Sequence, residues 1–295
     1  MRIHRRCFPC ILNQLLGMGA ALALDDERMN AVYFRALRLM AAAGVPEGTA
    51  PEFAERLYDG FVEATGCADP YRRLRQAQNR MILDRIDFFR DQITGAADPL
   101  RRAARYALMG NIMDYGVAAR LDPAALFEDM ESWSLRVDDY AEFRDRLEKS
   151  DRVLVIADNA GEIVFDRLLI EQMITVNPRA RFFYAVRSKP AINDVILRDA
   201  REVGIGRFAE ILESGSTFAG TLLGRSTPQF RRLFCESDLI VSKGQGNFET
   251  LEGEAGDPLF VFQIKCQVVA DHTGLGFGDR ILGFRSGIRS AAGVL

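Results

Sequence analysis

Residues 153–169, "VLVIADNAGEIVFDRLL", join an apolar run to a polar turn. Val153 to Ala157 is short, apolar and β-rich, and it stops at Asp158, Asn159, Ala160, Gly161 and Glu162. Apolar spacing of three and four then resumes at Ile163, Val164, Leu168 and Leu169. That change of period predicts a buried strand followed by a helix that covers it. The alternation repeats downstream. "RVLVIA", "RFFYAVR", "FAEIL", "DLIVS" and "LFVFQIK" read as strands, while "GEIVFDRLLIEQMITVN", "NDVILRDAREVG" and "TPQFRRLFCES" read as helices. Strands and helices in this order predict an α/β fold: a mainly parallel sheet with helices on both faces, in three layers.

The first 150 residues have a different texture. Apolar residues recur at helical spacing, as in Leu12, Leu15 and Leu16, or Val32, Leu37, Leu39 and Met40. "AGVPEGTAP", "TGCADP" and "TGAADP" punctuate them, and Asp69-Pro70 and Asp98-Pro99 read as N-cap followed by first turn. About six helices are expected. The division falls between an all-helical part, 1–149, and an α/β part, 150–295.

Lys and Arg total 38 against 41 Asp and Glu, a balance that argues against a nucleic-acid binder. No apolar run approaches the roughly 20 residues that span a bilayer. The basic, then apolar, N-terminal segment is interrupted by Asn13 and Gln14 and reads as an amphipathic helix, so a cytoplasmic protein is expected. The five cysteines are an odd number scattered along the chain, unlike a secreted disulfide framework.

In sheets of this kind ligands bind at the carboxyl ends of the strands. Five polar segments lie there: Asp158-Asn159-Ala160-Gly161-Glu162; Arg187 and Lys189 with "PAIND" (190–194); Ser214-Gly215-Ser216; "SKGQGNFE" (242–249); and Lys265-Cys266. Asp158, Asn159 and Asp194 are hard oxygen donors of the kind that suit Mg²⁺ or Mn²⁺ rather than Zn²⁺. Lys243, Lys265 and Arg187 offer charge to an anion, and Gly244 and Gly246 would let backbone N–H groups approach it. Metal, cations and a glycine-rich loop are the requirements of phosphoryl transfer.

Plainer readings stand beside each of these. Asp158, Asn193 and Asp194 all precede helices and suit N-caps. "GQG" fails the dinucleotide fingerprint because Glu249 holds the third glycine's place, and no P-loop motif occurs. Ala160 stands where a haloacid-dehalogenase-type phosphatase needs a second Asp. Cys7-Phe8-Pro9-Cys10 has metal or redox spacing, with buried helical cysteines the plainer reading and His4 a further candidate ligand. His272 is expected in an exposed loop. Asn111 and Asp114 of "GNIMDYG" (110–116) are expected to cap a helix or line the pocket.

Taken in order, "CFPC" (7–10), "DPYR" (69–72), "GNIMDYG", "DNAGEIVFD" (158–166), "VRSKPAINDV" (186–195), "ESGS" (213–216), "SKGQGNFETL" (242–251) and "KCQVVA" (265–270) resemble the damage-control phosphatase family in its compact prokaryotic branch. The resemblance spans nearly the whole chain. It implies a metal-dependent phosphatase acting on small phosphorylated metabolites, such as sugar phosphates or phosphopantetheine-type molecules, with a helical N-terminal part and an α/β/α core. It implies a divalent ion, Mn²⁺, Mg²⁺ or Ni²⁺, on Asp158, Asn159 and Asp194. Asp158, Glu162 and Asp194 would be catalytic, and Glu162, Lys243, Gly244, Gln245, Gly246, Asn247 and Lys265 would contact substrate. Gln245 departs from the acidic residue of eukaryotic branches, and the surroundings of Lys265 differ from theirs. Water attack and an aspartyl-phosphate on Asp158 are both compatible with the residues. The rival class is a nucleotide- or S-adenosylmethionine-binding protein in which Glu162 or Glu249 contacts a ribose; a third is a non-catalytic metal-binding regulator.

Overall fold

The structure, a computed structural model, describes residues 1–44, 47–110 and 133–293. Asn111 and Asp114 lie outside the described residues. Helices α1 (Cys7–Ala21), α2 (Asp26–Ala42) and α3 (Ala50–Thr65) enclose a small core around Leu15, Val32, Phe53, Leu57 and Phe61. The breakers act locally as their chemistry dictates. Thr49 opens α3 in a capping box, its hydroxyl accepting from Glu52 N at 3.3 Å while Glu52 accepts from Thr49 N at 2.8 Å. Asp98 accepts from Arg101 N at 3.1 Å and starts α6 (Pro99–Gly110). Asp69 behaves differently. Its two oxygens are held at 2.7 Å by the guanidinium of Arg75, inside α4 (Arg72–Leu83), so it anchors that helix rather than capping it. α5 (Ile86–Thr94) lies between α4 and α6 in the chain.

The remainder runs β1 (Val137–Asp138), α7 (Tyr140–Lys149), β2 (Arg152–Ile156), α8 (Glu162–Val176), β3 (Arg181–Val186), α9 (Leu197–Val203) and β4 (Glu210–Glu213). It continues with α10 (Pro228–Glu236), β5 (Leu239–Lys243), α11 (Gln245–Leu251), β6 (Leu259–Gln263), α12 (Gln267–Thr273), β7 (Arg280–Gly283) and α13 (Arg285–Ala291). The seven strands are ordered β1-β7-β6-β5-β2-β3-β4, and every pairing is parallel except β6 with β7. Side-chain alternation sorts the strands onto two faces. Val153, Val155, Leu239 and Val241 pack on one core, and Leu154, Ile156, Ile240 and Phe260 on the other. The expected three-layer α/β/α architecture is present, and among the described residues no helix is long and apolar enough to cross a membrane.

The division expected at 149/150 does not coincide with a break in the core. Phe89 of α5, Tyr106 and Ala107 of α6, and Phe143 and Leu147 of α7 share one hydrophobic cluster with Phe165 of α8 and the strands. Small residues on α6 (Ala103, Ala104, Ala107, Gly110) allow the close approach: a Cβ on Gly110 would lie 2.7 Å from Glu162 Cα. Only α1–α3 keep a separate core. β1, upstream of residue 150, pairs with β7 at the sheet edge.

Chain direction reverses between β2 and β5. From β2 the chain proceeds outward to β3 and β4, and from β5 the other way to β6 and β7. A crevice opens where such connections diverge, and the loops after β2 and β5 face each other across it.

Candidate active site

Asp158 follows β2 at that crevice, and it is buried. It caps no helix: α8 has Gly161 at its N-cap with no side-chain bond. Asp194 caps none either, since α9 begins after Ile196, whose N–H is taken by Asp199 at 3.0 Å. The plain N-cap reading of both residues is thereby removed. The two segments are bound together by an isolated antiparallel bridge between Asn159 and Asp194. Val195 N donates to Asp158 O at 2.8 Å, and Ala160 N to Asn193 O at 2.9 Å. Asn159 Nδ2 donates to Asp158 Oδ2 at 2.6 Å.

Arg187, at the end of β3, is buried between the carboxylates. Its Nε donates to Asp194 Oδ2 at 2.7 Å, and its Nη2 lies 3.9 Å from Asp158 Oδ1. Nη1 is shared between Thr221 Oγ1 at 2.8 Å and Asn247 Oδ1 at 3.1 Å, while Nη2 has no hydrogen-bond partner among the described residues. Asn247 in turn donates to Ala157 O at 3.0 Å and Lys243 O at 2.7 Å, tying the loop after β5 to the end of β2. Burial, then repulsion from Asp194, pushes the Asp158 carboxyl up to about 7, against the pull of Arg187 and Lys265. Asp194 is raised too, by burial, against the opposing charge of Arg187.

One expectation for the glycine-rich loop is corrected. Gly244 N–H is committed to Val261 O at 3.0 Å and is not offered to an anion. Gly244 serves the site sterically instead: its φ is +81°, and any Cβ there would fall inside the Asp158 carboxylate. Gly246 is packed against the neighbouring loop, where a Cβ would lie 2.9 Å from Ala219 O. Gly244→Ala is therefore expected to displace Asp158, and to lose most metal-induced stabilisation in a thermal-shift assay, while Gly253→Ala, in open space, leaves it intact.

Lys243 is also displaced from its expected role. Lys243 is fully buried, and its ammonium donates to Glu162 Oε1, to Asp166 Oδ1 at 2.6 Å and to Ala107 O at 2.9 Å. Those three bonds exhaust its donors, so none is left for a phosphate. Burial lowers the Lys243 pKa, but Asp166 and Glu162 outweigh it and hold the ammonium charged. Glu162, buried with it, is pushed up to about 7 by desolvation, against the attraction of Lys243. Tyr184 completes the network by donating to Asp166 Oδ2 at 2.7 Å. This cluster lies buried beneath the crevice.

Gln245 and Lys265 lie together, with Lys265 N donating to Gln245 Oε1 at 2.8 Å. Lys265 itself is half-buried. His272 is on α12, not in a loop, bonded to Glu252 at 3.0 Å. Cys7 and Cys10 open α1, the first half-buried and the second exposed, so the expectation of buried helical cysteines is not met.

Three contributors were not anticipated. Asn79 of α4 accepts from Gly161 N at 2.7 Å and pins the turn before α8. Its signal was present: Arg75, Asn79 and Ile82 share the buried stripe of α4, where two polar residues are out of place. Thr221 links Arg187 to Asn247, whose Oδ1 it reaches at 2.9 Å. Ile192 adopts φ +47°, a left-handed conformation that costs a β-branched residue about 1–2 kcal/mol. Its side chain packs on the α1–α3 core, which holds the strained turn two residues before Asp194.

The donor set fits a hard divalent cation. Two buried carboxylates disfavour each other's ionised forms, and Asn159 turns its Nδ2 toward Asp158, leaving Oδ1 as a neutral third donor. Among the described residues no cluster of three or more His, Cys, Asp or Glu is arranged around a metal. The set is two carboxylates and an amide.

Fold and crevice define a doubly wound α/β protein whose switch point is lined by paired carboxylates beside a buried arginine. The sequence model of the damage-control phosphatase ARMT1-like domain matches residues 3–281, and the chain belongs to that family. It is 27% identical to a damage-control phosphatase of Archaeoglobus fulgidus over 288 residues, covering 95% of this chain and 98% of that one. It is 28% identical to an uncharacterized protein of Methanocaldococcus jannaschii over 293 residues, covering 96% and 95%. The crystal structure of a DUF89 family protein from Pyrococcus horikoshii superposes with a TM-score of 0.88 at 24% identity, covering 97% of this chain and 99% of that one, a likeness of fold.

Proposed function

We propose that this protein is a divalent-metal-dependent phosphomonoesterase that hydrolyses small phosphorylated metabolites, sugar phosphates or phosphopantetheine-like esters, in metabolite damage control. The observation that carries the reading is the pair Asp158 and Asp194: buried, bridged to each other's loops, unused as helix caps and facing one arginine. Family membership supports the reaction class. Asp158, Asn159 and Asp194 would hold the ion, Mn²⁺, Mg²⁺ or Ni²⁺. Once bound, such an ion supplies charge neutralisation and polarisation of the ester. Arg187, whose Nη2 has no hydrogen-bond partner among the described residues, orients the phosphoryl oxygens, and Lys265 at the crevice edge adds a second positive charge. The Lys243–Glu162–Asp166 floor keeps the β2 and β5 loops in register and stays out of the proton transfers. Free cysteines throughout accord with a cytoplasmic setting.

The rival reading, a nucleotide or S-adenosylmethionine binder, needs Glu162 or Glu249 free for a ribose. Glu162 is paired with Lys243, and Glu249 accepts from Gln245 at 2.8 Å. A screen of phosphorylated metabolites with Mn²⁺, Mg²⁺ and Ni²⁺ tests the proposal. Release of inorganic phosphate that stops with chelator is expected. Binding of adenosyl ligands without any phosphate release would contradict it.

Metal affinity carries a pH signature. With Asp158 raised from its ordinary 3.8 to about 7, the fold favours the neutral carboxyl. Its contribution to stability is complete below pH 3.8 and is lost as pH rises through 7. A cation must displace that proton, so apparent affinity is expected to weaken about tenfold per pH unit below 7. Mn²⁺-induced thermal shifts measured between pH 5.5 and 8 check this, and a flat profile would contradict the assignment of Asp158.

A further inference from the structure

Two polar residues of the buried stripe of α4 reach beyond their own layer. Arg75 is 1% exposed, and its two Nη atoms fork onto Asp69 at 2.7 Å each. Its Nε donates to Asp199 Oδ2 at 3.0 Å, the oxygen that also accepts from Ile196 N at 3.0 Å. Ile196 stands two residues beyond Asp194. Val195, between them, donates its N–H to Asp158 O at 2.8 Å and accepts from Arg187 N at 2.9 Å. One turn along α4, Asn79 Oδ1 accepts from Gly161 N at 2.7 Å. Gly161, two residues after Asn159, has φ +78°, and a Cβ there would lie 3.6 Å from Gln78 Cβ. Positions four apart on a helix are separated by about 6 Å along its axis. One rigid element thus carries a separate anchor for each segment that bears Asp158, Asn159 or Asp194. Packing does not require these anchors. Burying a guanidinium, and an amide whose Nδ2 has no hydrogen-bond partner among the described residues, is costly where an apolar stripe would seat α4 equally well. What charged and directional bonds supply instead is a fixed distance.

We infer that α4 is a spacing gauge: Arg75 and Asn79 hold the two ligand-bearing segments at one separation, and that separation selects a small octahedral cation over Ca²⁺. The selection rests on the proposed metal reading; the gauge itself does not. Mg²⁺ needs oxygens at about 2.0–2.1 Å in near-ideal geometry, whereas Ca²⁺ takes them at about 2.3–2.6 Å and tolerates irregular sites. Asp158 and Asn159 come from one segment and Asp194 from the other, so the spacing of the segments sets the spacing of the donors. A stiff frame resists the spreading that Ca²⁺ needs, and a slack one yields to it. Arg75 and Asn79 act through other groups, Asp199 and Gly161, and so are positioning residues.

The test uses the full chain, stripped of metal, and reads two quantities. Thermal-shift titrations with Mg²⁺ and with Ca²⁺ give the ratio of their dissociation constants. Amide hydrogen exchange without metal reads the bonds that join the segments, Ala160 N to Asn193 O and Val195 N to Asp158 O. Asn79→Ala and Arg75→Lys are each expected to cut the preference for Mg²⁺ about fivefold, the scale of one lost hydrogen bond, and to speed exchange at Ala160 and Val195 by a similar factor. Asn79→Asp keeps an acceptor for Gly161 N and should restore both. Its added charge acts on two divalent ions alike and cancels in the ratio. Arg90→Lys breaks a comparable fork, from α5 to Glu171 of α8. It should lower the melting temperature while leaving the ratio and the exchange at those two amides unchanged. Asn79→Ala, which removes a neutral bond, decides the matter if Arg75→Lys does not fold. The inference is overturned if the wild type binds Ca²⁺ as tightly as Mg²⁺, if Asn79→Ala keeps the wild-type ratio, or if exchange at Ala160 and Val195 does not change. A wild-type protein that answers to neither ion would defeat the metal reading and the selection drawn from it, while the exchange data still decide for or against the gauge.

Discussion

Asp158→Asn is expected to lower metal-dependent phosphate-ester hydrolysis by roughly 10³-fold, the scale of several kcal/mol of transition-state stabilisation. The substitution is nearly isosteric, so the bridge between Asn159 and Asp194 should persist. It removes the anionic donor and, with it, the repulsion between two buried carboxylates. At pH 8, where wild-type Asp158 is ionised at a cost, the metal-free variant should be at least as stable as wild type. The Mn²⁺-induced thermal shift should vanish. An inert variant that is also unfolded would carry a different meaning, so both hydrolysis and melting are measured on one preparation. Near-wild-type turnover in excess Mn²⁺ would contradict the ligand assignment.

Lys243→Met is expected to destabilise the fold by about 3–5 kcal/mol, because it strands two buried carboxylates without their counter-charge. Glu162 would then take up a proton, so the loss should be largest at alkaline pH and shrink as pH falls through the range in which Glu162, already near 7, titrates. Combining Lys243→Met with Glu162→Gln and Asp166→Asn removes the stranded charges and should recover part of the stability, by the non-additivity expected of residues in contact. Urea denaturation of the single and triple variants measures both effects. A Lys243→Met protein of wild-type stability with a raised KM would instead return Lys243 to the anion-binding role that the sequence suggested.

Asp158 and Lys243 differ in how much of their surroundings the sequence carries. The β2–α8 junction was legible because a buried strand and a covering helix have different periods, and Asp158 falls at the change. All five expected strands form, while β1 and β7 escaped because two and four residues are too few to show alternation. Asp69 was read as a cap, but the buried guanidinium of Arg75 claims it, a tertiary demand that local signals do not carry. Lys243 shows the same limit. Residues of β5 alternate, so Lys243 shares a face with Leu239 and Val241 and points at α8, where Glu162 and Asp166 stand at i and i+4. Alternation would have shown this had the lysine been read as a strand residue before being read as a loop cation. Arg187 resisted for another reason. Its partners come from the segments after β2, β3, β4 and β5, and only the closed sheet brings them together.

The most direct test is a crystal of the protein grown with Mn²⁺ and measured at the manganese absorption edge. An anomalous peak among the oxygens of Asp158, Asn159 and Asp194 is predicted, with Arg187 beside it. A peak at another group of residues, or an ion held only by backbone and water with these three side chains turned away, would contradict the account.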